Sequence, residues 1–138
     1  EATATLDFRL VPEMRPRGIF EKLRRHLEAN GFDDIELKYL GGENPSRTPM
    51  DSAWVRLVAQ AAREVYGREP VISPTMAGTG PMYEFAEVLG MPIATSGVDH
   101  PSHRIHAPNE NITVEDLLLG AKHAALIMER LGERGLTG

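Results

Sequence analysis

Three of the chain's five histidines crowd into one short run, His100-Pro101-Ser102-His103-Arg104-Ile105-His106-Ala107-Pro108-Asn109-Glu110-Asn111. Neutral imidazole is the usual nitrogen ligand of zinc, and a nearby carboxylate such as Glu110 serves either as a further ligand or as the partner that fixes a ring. The spacing matches no closed zinc-ligand set, so taken alone it reads equally as solvated or backbone-bonded histidines. A second run, Ala77-Gly78-Thr79-Gly80-Pro81, offers backbone N–H groups able to receive a carboxylate, phosphate or oxyanion. It has neither the lysine of a phosphate-binding P-loop nor the full dinucleotide fingerprint, and a tight strand-to-helix turn needing glycine also accounts for it. The third candidate is Arg9, on the same side of an alternating segment as Asp7. Its forked donors suit a substrate carboxylate, while a surface ion pair is the plainer use. His26 and His123 fall in helical patterns and read as solvated or packing residues.

The elements that position these residues follow from periodicity. Residues 3–11 alternate, with Ala4, Leu6, Phe8 and Leu10 on one face, which is the period of a half-buried strand. Pro16 opens a helix with Ile19, Phe20, Leu23 and Leu27 at helical spacing, closed by Asn30-Gly31. Ile35, Leu37 and Tyr39 predict a second strand that ends at Gly41-Gly42, and the Gly, Pro and Asn density of residues 41–49 places a linker at 43–48. Beyond it, Asp51 or Ser52 caps a helix with the apolar stripe Trp54, Val55, Val58, Ala61, Ala62 and Val65, which stops at Gly67. A short strand at 71–73, a short helix around Met82, Phe85, Ala86 and Leu89 ending at Gly90, and a buried strand at 92–95 follow. That strand leads into the polar loop 96–112. Thr113 and Asp116 resemble a capping box opening a last helix, with Leu117, Ala121, Ala124, Ala125, Met128 and Leu131 inward and Gly132 as its stop. Strands alternating with helices predict an α/β architecture.

Composition sets the outer limits. At 138 residues, 41% hydrophobic and 25% charged, the chain has the length and make-up of one globular domain or of pieces of two. Fifteen basic residues against 20 acidic give a net charge of -5, which argues against a nucleic-acid partner. With no cysteine, thiolate zinc sites and cysteine nucleophiles are excluded, so a metal must be held by His and carboxylates. No apolar run approaches the ~18 residues that span a bilayer, and the first residues lack a secretory signal. The expectation is a soluble, cytoplasmic protein without a membrane partner. The missing initiator Met and a first element starting near residue 2 lead to the further expectation of a fragment.

In this order, the blocks Ala4-Thr5-Leu6-Asp7-Phe8-Arg9-Leu10-Val11-Pro12, Ala77-Gly78-Thr79-Gly80-Pro81 and Ile105-His106-Ala107-Pro108-Asn109-Glu110-Asn111 resemble the C-terminal half of a known family. This is the co-catalytic zinc peptidase and deacylase family of acetylornithine deacetylase, succinyl-diaminopimelate desuccinylase, aminoacylase, carnosinase and carboxypeptidase G. The histidine block is the most specific of the three. The resemblance implies an α/β fold in which residues 1–42 are the second, strand-helix-strand half of a ferredoxin-like βαββαβ lid or dimerisation domain. Residues 43–48 are then the linker and 49–138 the C-terminal segment of a zinc-exopeptidase-like catalytic domain. It implies a metal ligand at His106, supporting roles for Asn109 and Glu110, and contact with the substrate's carboxylate or amide end at Arg9, Gly78, Thr79 and Gly80. His100 and His103 have no counterpart and read as solvated loop residues.

The chemistry implied is hydrolysis of an amide in an N-acyl amino acid or small peptide. Two divalent metal ions, zinc first among them, acidify a bridging water and polarise the carbonyl while a glutamate moves the proton. The sequence holds no His-x-Asp and no Glu-Glu pair, so no catalytic residue is expected in this segment. The general base is expected upstream, the chain alone is expected to be inactive, and its partners are expected to be the upstream half of the same protein and, through self-association, a second copy. Two other readings stand beside this one: a noncatalytic dimerisation fragment, and a self-contained metal-binding module using His100, His103 and His106 together.

Overall fold

The computed structural model describes residues 2–76 and 78–134; Glu1, the Ala77 that opens the glycine block, and residues 135–138 lie outside them. The chain divides into two units, one of Glu1–Arg47 with Thr75–Met91 and the other of Thr48–Pro74 with Pro92–Gly138. Regular structure among the described residues is helical: α1 Pro16–Ala29, α2 Ala53–Tyr66, a π-helical turn Glu84–Val88, and α3 Val114–Arg134.

In the first unit, Pro16 occupies the first turn of α1, where its missing N–H removes no helical bond. Ile19, Phe20, Leu23 and Leu27 are the half-buried face, as their spacing predicts. The helix ends where Asn30 caps it, Gly31 turns left-handed at φ 77°, and the Phe32 N–H returns to the Leu27 carbonyl at 3.0 Å. Tyr39 stands edge-on to Phe20 with ring centroids 5.3 Å apart, and the Arg17 guanidinium lies 4.4 Å from the centre of the Tyr39 ring. Gly42 passes so close to Pro16 that an added Cβ would lie 2.7 Å from the proline Cβ. The π-helical turn closes with Gly90 at φ 66°, which lets the Met91 N–H reach the Phe85 carbonyl at 2.8 Å.

In the second unit, Ser52 rather than Asp51 caps α2, its Oγ accepting from the Val55 N–H at 3.2 Å. Gly67 ends α2 at φ 64°. The predicted stripe of α2 faces inward, and Val58, Ala61 and Ala62 form the buried apolar core. Thr113 opens α3, accepting from the Asp116 N–H at 3.0 Å and donating its hydroxyl to the Asp116 carboxylate at 2.6 Å. The two helices pack on each other, and Arg130 of α3 pairs with Glu64 of α2.

Several expectations need correction. None of the segments 3–11, 35–39, 71–73 and 92–95 is a β-strand; no strand occurs among the described residues. Alternation fixes which side chains share a face, but a strand exists only where its N–H and C=O groups pair with a neighbouring chain segment. Leu37 and Tyr39 keep the alternation, half-buried between exposed neighbours, without a ladder. Val71 is 97% exposed. The short helix near Phe85 is a single π turn. The last helix passes Gly132, and its inward face is also different. His123 is buried and Leu119, Leu126 and Ile127 are half-buried, whereas Leu117, Ala121, Ala124, Ala125 and Met128 are exposed; only Leu131 matches the predicted inward set. The helix is apolar around much of its circumference, so periodicity alone leaves the face undetermined. Close approach at Gly120 and the hydrogen-bonding needs of His123 decide it.

Candidate functional site

His106 stands at φ 59°, flanked by Arg104 at φ 56° and Asn109 at φ 64°. Each non-glycine residue in this left-handed region costs on the order of 1–2 kcal/mol, so three within six residues persist only where other bonds impose them. The loop supplies those bonds. The Ala107 N–H bonds the Arg104 carbonyl at 2.9 Å, the Glu110 N–H the Ala107 carbonyl at 3.2 Å, and the Asn111 N–H the His103 carbonyl at 3.0 Å. The Asn111 Nδ2 donates to the carbonyls of Asn109 at 2.9 Å and Ser102 at 3.3 Å. His100 bonds the Asn111 Oδ1 at 3.1 Å, and the His103 Nδ1 donates to the His100 carbonyl. His100 and His103 are therefore structural members of the loop and not solvated bystanders.

The ends of this loop rest on α3. His123 Nε2 donates to the Val58 carbonyl at 3.1 Å, because a carbonyl only accepts. The other ring nitrogen, Nδ1, shares a hydrogen bond with the Ser96 hydroxyl at 3.2 Å. One turn earlier, Val98 lies on Gly120 so closely that a Cβ there would be 2.2 Å from its Cγ1. Thr113 caps the helix at the other end of the loop. His123, read from sequence as a packing residue, is thus the tie between α2, α3 and the entry to the loop. A buried imidazole with two named partners leaves no mark in a linear sequence.

The His106 ring is exposed, and neither of its nitrogens has a hydrogen-bond partner among the described residues. An imidazole with free nitrogens on a locked loop fits one position of a zinc shell. Among the described residues no group of three or more His, Cys, Asp or Glu side chains is placed to hold a metal ion. Among the described residues this loop offers one wholly unbonded imidazole and not a ligand set; His100 spends both ring nitrogens within the loop and His103 its Nδ1. Glu110 is exposed and its carboxylate pairs with nothing among the described residues; Asn109 lends its carbonyl to Asn111.

The first unit brings two of the sequence blocks together. Arg9 makes an ion pair with Asp7 at 3.2 Å and also donates from Nη1 to the Thr79 hydroxyl, 70 positions away. The ion pair read for Arg9 is therefore present, and the same guanidinium also reaches the glycine block. Its guanidinium is half-exposed, and no N–H of Gly78, Thr79 or Gly80 is bonded to another described residue. Gly80 is not left-handed, so a turn that demands glycine does not explain it. What the block offers is a guanidinium, a hydroxyl and free backbone donors, a set that suits a carboxylate or an amide carbonyl.

Comparison with known proteins bears on this arrangement. Residues 3–130 match the model of peptidase family M20/M25/M40. The crystal structure of an M20 family metallo-carboxypeptidase, Sso-CP2 from Sulfolobus solfataricus, is similar at 38% identity and a TM-score of 0.77. The similarity covers 87% of this chain and 28% of that one, so the chain spans little more than a quarter of the carboxypeptidase's length. A search of curated proteins found no match.

Proposed function

Because the chain belongs to peptidase family M20/M25/M40, we propose that it works as part of a metal-dependent hydrolase that cleaves the amide bond of N-acyl amino acids or small peptides. The observation that carries this reading is His106, its ring nitrogens free, held out on a loop that spends three left-handed residues to present it. In this reading His106 ligates one of two divalent metal ions, zinc first among them, and Asn109 and Glu110 support it. Arg9 with Gly78, Thr79 and Gly80 receives the carboxylate or amide end of the substrate. The bound metals supply an acidified water and a polarised carbonyl.

The remaining ligands and the general base belong, in this proposal, to the rest of a longer parent, as the share of Sso-CP2 covered supports. The segments 3–11 and 35–39 then find their ladders within a ferredoxin-like lid completed by that parent, and 92–95 within its catalytic domain. The exposed Leu6, Phe8, Phe32, Ile35 and Leu40 favour self-association of the isolated chain. No helix among the described residues is long and apolar enough to cross a membrane, and a cytoplasmic location remains our proposal.

The test is a panel of N-acyl amino acids and dipeptides against the parent, before and after chelation and with zinc restored. Turnover that depends on metal, is absent from the isolated chain and is lost together with bound metal in His106→Ala supports the reading. Full metal content and full amidase activity in His106→Ala would remove it.

A further inference from the structure

We infer that Asn111 is a positioning residue for His106, an inference that rests on the reading of His106 as a metal ligand. Its side-chain amide is assigned by its partners. Nδ2 faces two carbonyls, of Ser102 at 3.3 Å and Asn109 at 2.9 Å, and these can only accept. Oδ1 therefore takes the remaining bond, from His100 Nε2 at 3.1 Å. That fixes His100 as the tautomer whose Nδ1 is free to accept from the Ser102 N–H at 3.2 Å. The bonds close a ring in which every donor meets an acceptor: Ser102 N–H to His100, His100 to Asn111, and Asn111 back to the Ser102 carbonyl. The Asn111 backbone N–H adds a bond to the His103 carbonyl at 3.0 Å.

The significance lies in where these bonds fall. Residues 100–103 precede His106 and Asn109 follows it, so a single side chain holds both flanks of the turn that carries the imidazole. Arg104, His106 and Asn109 all sit in the left-handed region, and relaxing any of them re-aims the ring. Outer partners that orient a ligand commonly change metal affinity without touching the metal. Asn111 does this through backbone and not through the ring, since His106 itself bonds no described residue. Aspartate at 111 would keep the acceptor for His100 but set carboxylate oxygen against two carbonyls.

The experiment uses the parent hydrolase with zinc alone and with cobalt(II) alone as probes. In Asn111→Ala the zinc dissociation constant, measured by chelator competition, should rise about tenfold or more, and the visible absorption of the cobalt form should change. The melting midpoint of the metal-free protein should move little. Unchanged zinc affinity and an unchanged cobalt spectrum overturn the inference, whatever the midpoint does. If Asn111→Ala does not fold, His100→Phe carries the test: it keeps the ring's bulk, removes both ring bonds and should give a smaller rise, while wild-type affinity there counts against the proposal. His106→Ala separates the two levels. Retained zinc in that variant overturns the ligand reading and this inference with it. Zinc lost in His106→Ala but unaltered in Asn111→Ala overturns only the role of Asn111.

Discussion

The loop at 100–111 and the block at 78–80 are organised in opposite ways. The histidine loop satisfies itself: its carbonyls, its amide side chain and two of its imidazoles bond one another, and a single ring is left free. The glycine block satisfies almost nothing, its backbone donors unbonded among the described residues and its one side-chain contact made to an exposed arginine. In the proposed function the contrast has a reason. A metal ligand must be aimed before the metal arrives, whereas donors meant for a substrate must be vacant until it comes.

Kinetics of the parent can break this comparison most directly. His106→Ala, by removing a ligand, should lower kcat by about a thousandfold or more with bound metal lost, the scale of a lost electrostatic or Lewis-acid stabiliser. Arg9→Ala should leave metal content intact and act on substrate capture. A charge-assisted hydrogen bond contributes about 1.5–3 kcal/mol, so kcat/KM should fall about 10- to 150-fold, mostly through KM. Arg9→Lys should recover only part of this, because an ammonium lacks the fork. If instead Arg9→Ala lost metal and His106→Ala changed only KM, the division of labour drawn here would be reversed.

How far the sequence disclosed this arrangement depends on where each element finds its partners. The faces of α1 and α2, the Ser52 cap and the Thr113 cap were legible because a helix bonds within itself and its caps lie within three residues. The segments 3–11 and 92–95 carry a strand's alternation, yet pairing is decided by another stretch of chain, and none pairs with them among the described residues. Their backbone still belongs to a fold shared with an M20 carboxypeptidase. His106 was legible as one member of a motif. Asn111 and His123 were not, since an asparagine in a polar loop and a histidine on a helix look the same whether or not they hold the structure together.

The support beneath the loop gives two smaller tests. Thr113→Ala removes the acceptor of the Asp116 N–H and should destabilise the second unit by about 1 kcal/mol, the usual worth of a helix cap. Trp54, the chain's one tryptophan and part of the inward face of α2, reports the loss by fluorescence in urea. The melt should shift in midpoint with little change in slope.

Gly120→Ala sets two effects of similar size against each other. In an exposed helix interior this substitution stabilises by about 1 kcal/mol, since alanine restricts the unfolded chain more than glycine does. At position 120 the new methyl would lie 2.2 Å from the Val98 Cγ1, far inside contact distance, and overpacking of this kind costs about 1–3 kcal/mol. Steric cost exceeds propensity, so the net effect should be a loss of about 1 kcal/mol, with Val98 displaced and the loop entry shifted. Val98→Ala in the same background should restore stability toward that of Val98→Ala alone, a coupling that two independent sites would not show. Gly120→Ala more stable than wild type would mean that Val98 does not rest on α3, and that the loop is held by Ser96 and Thr113 alone.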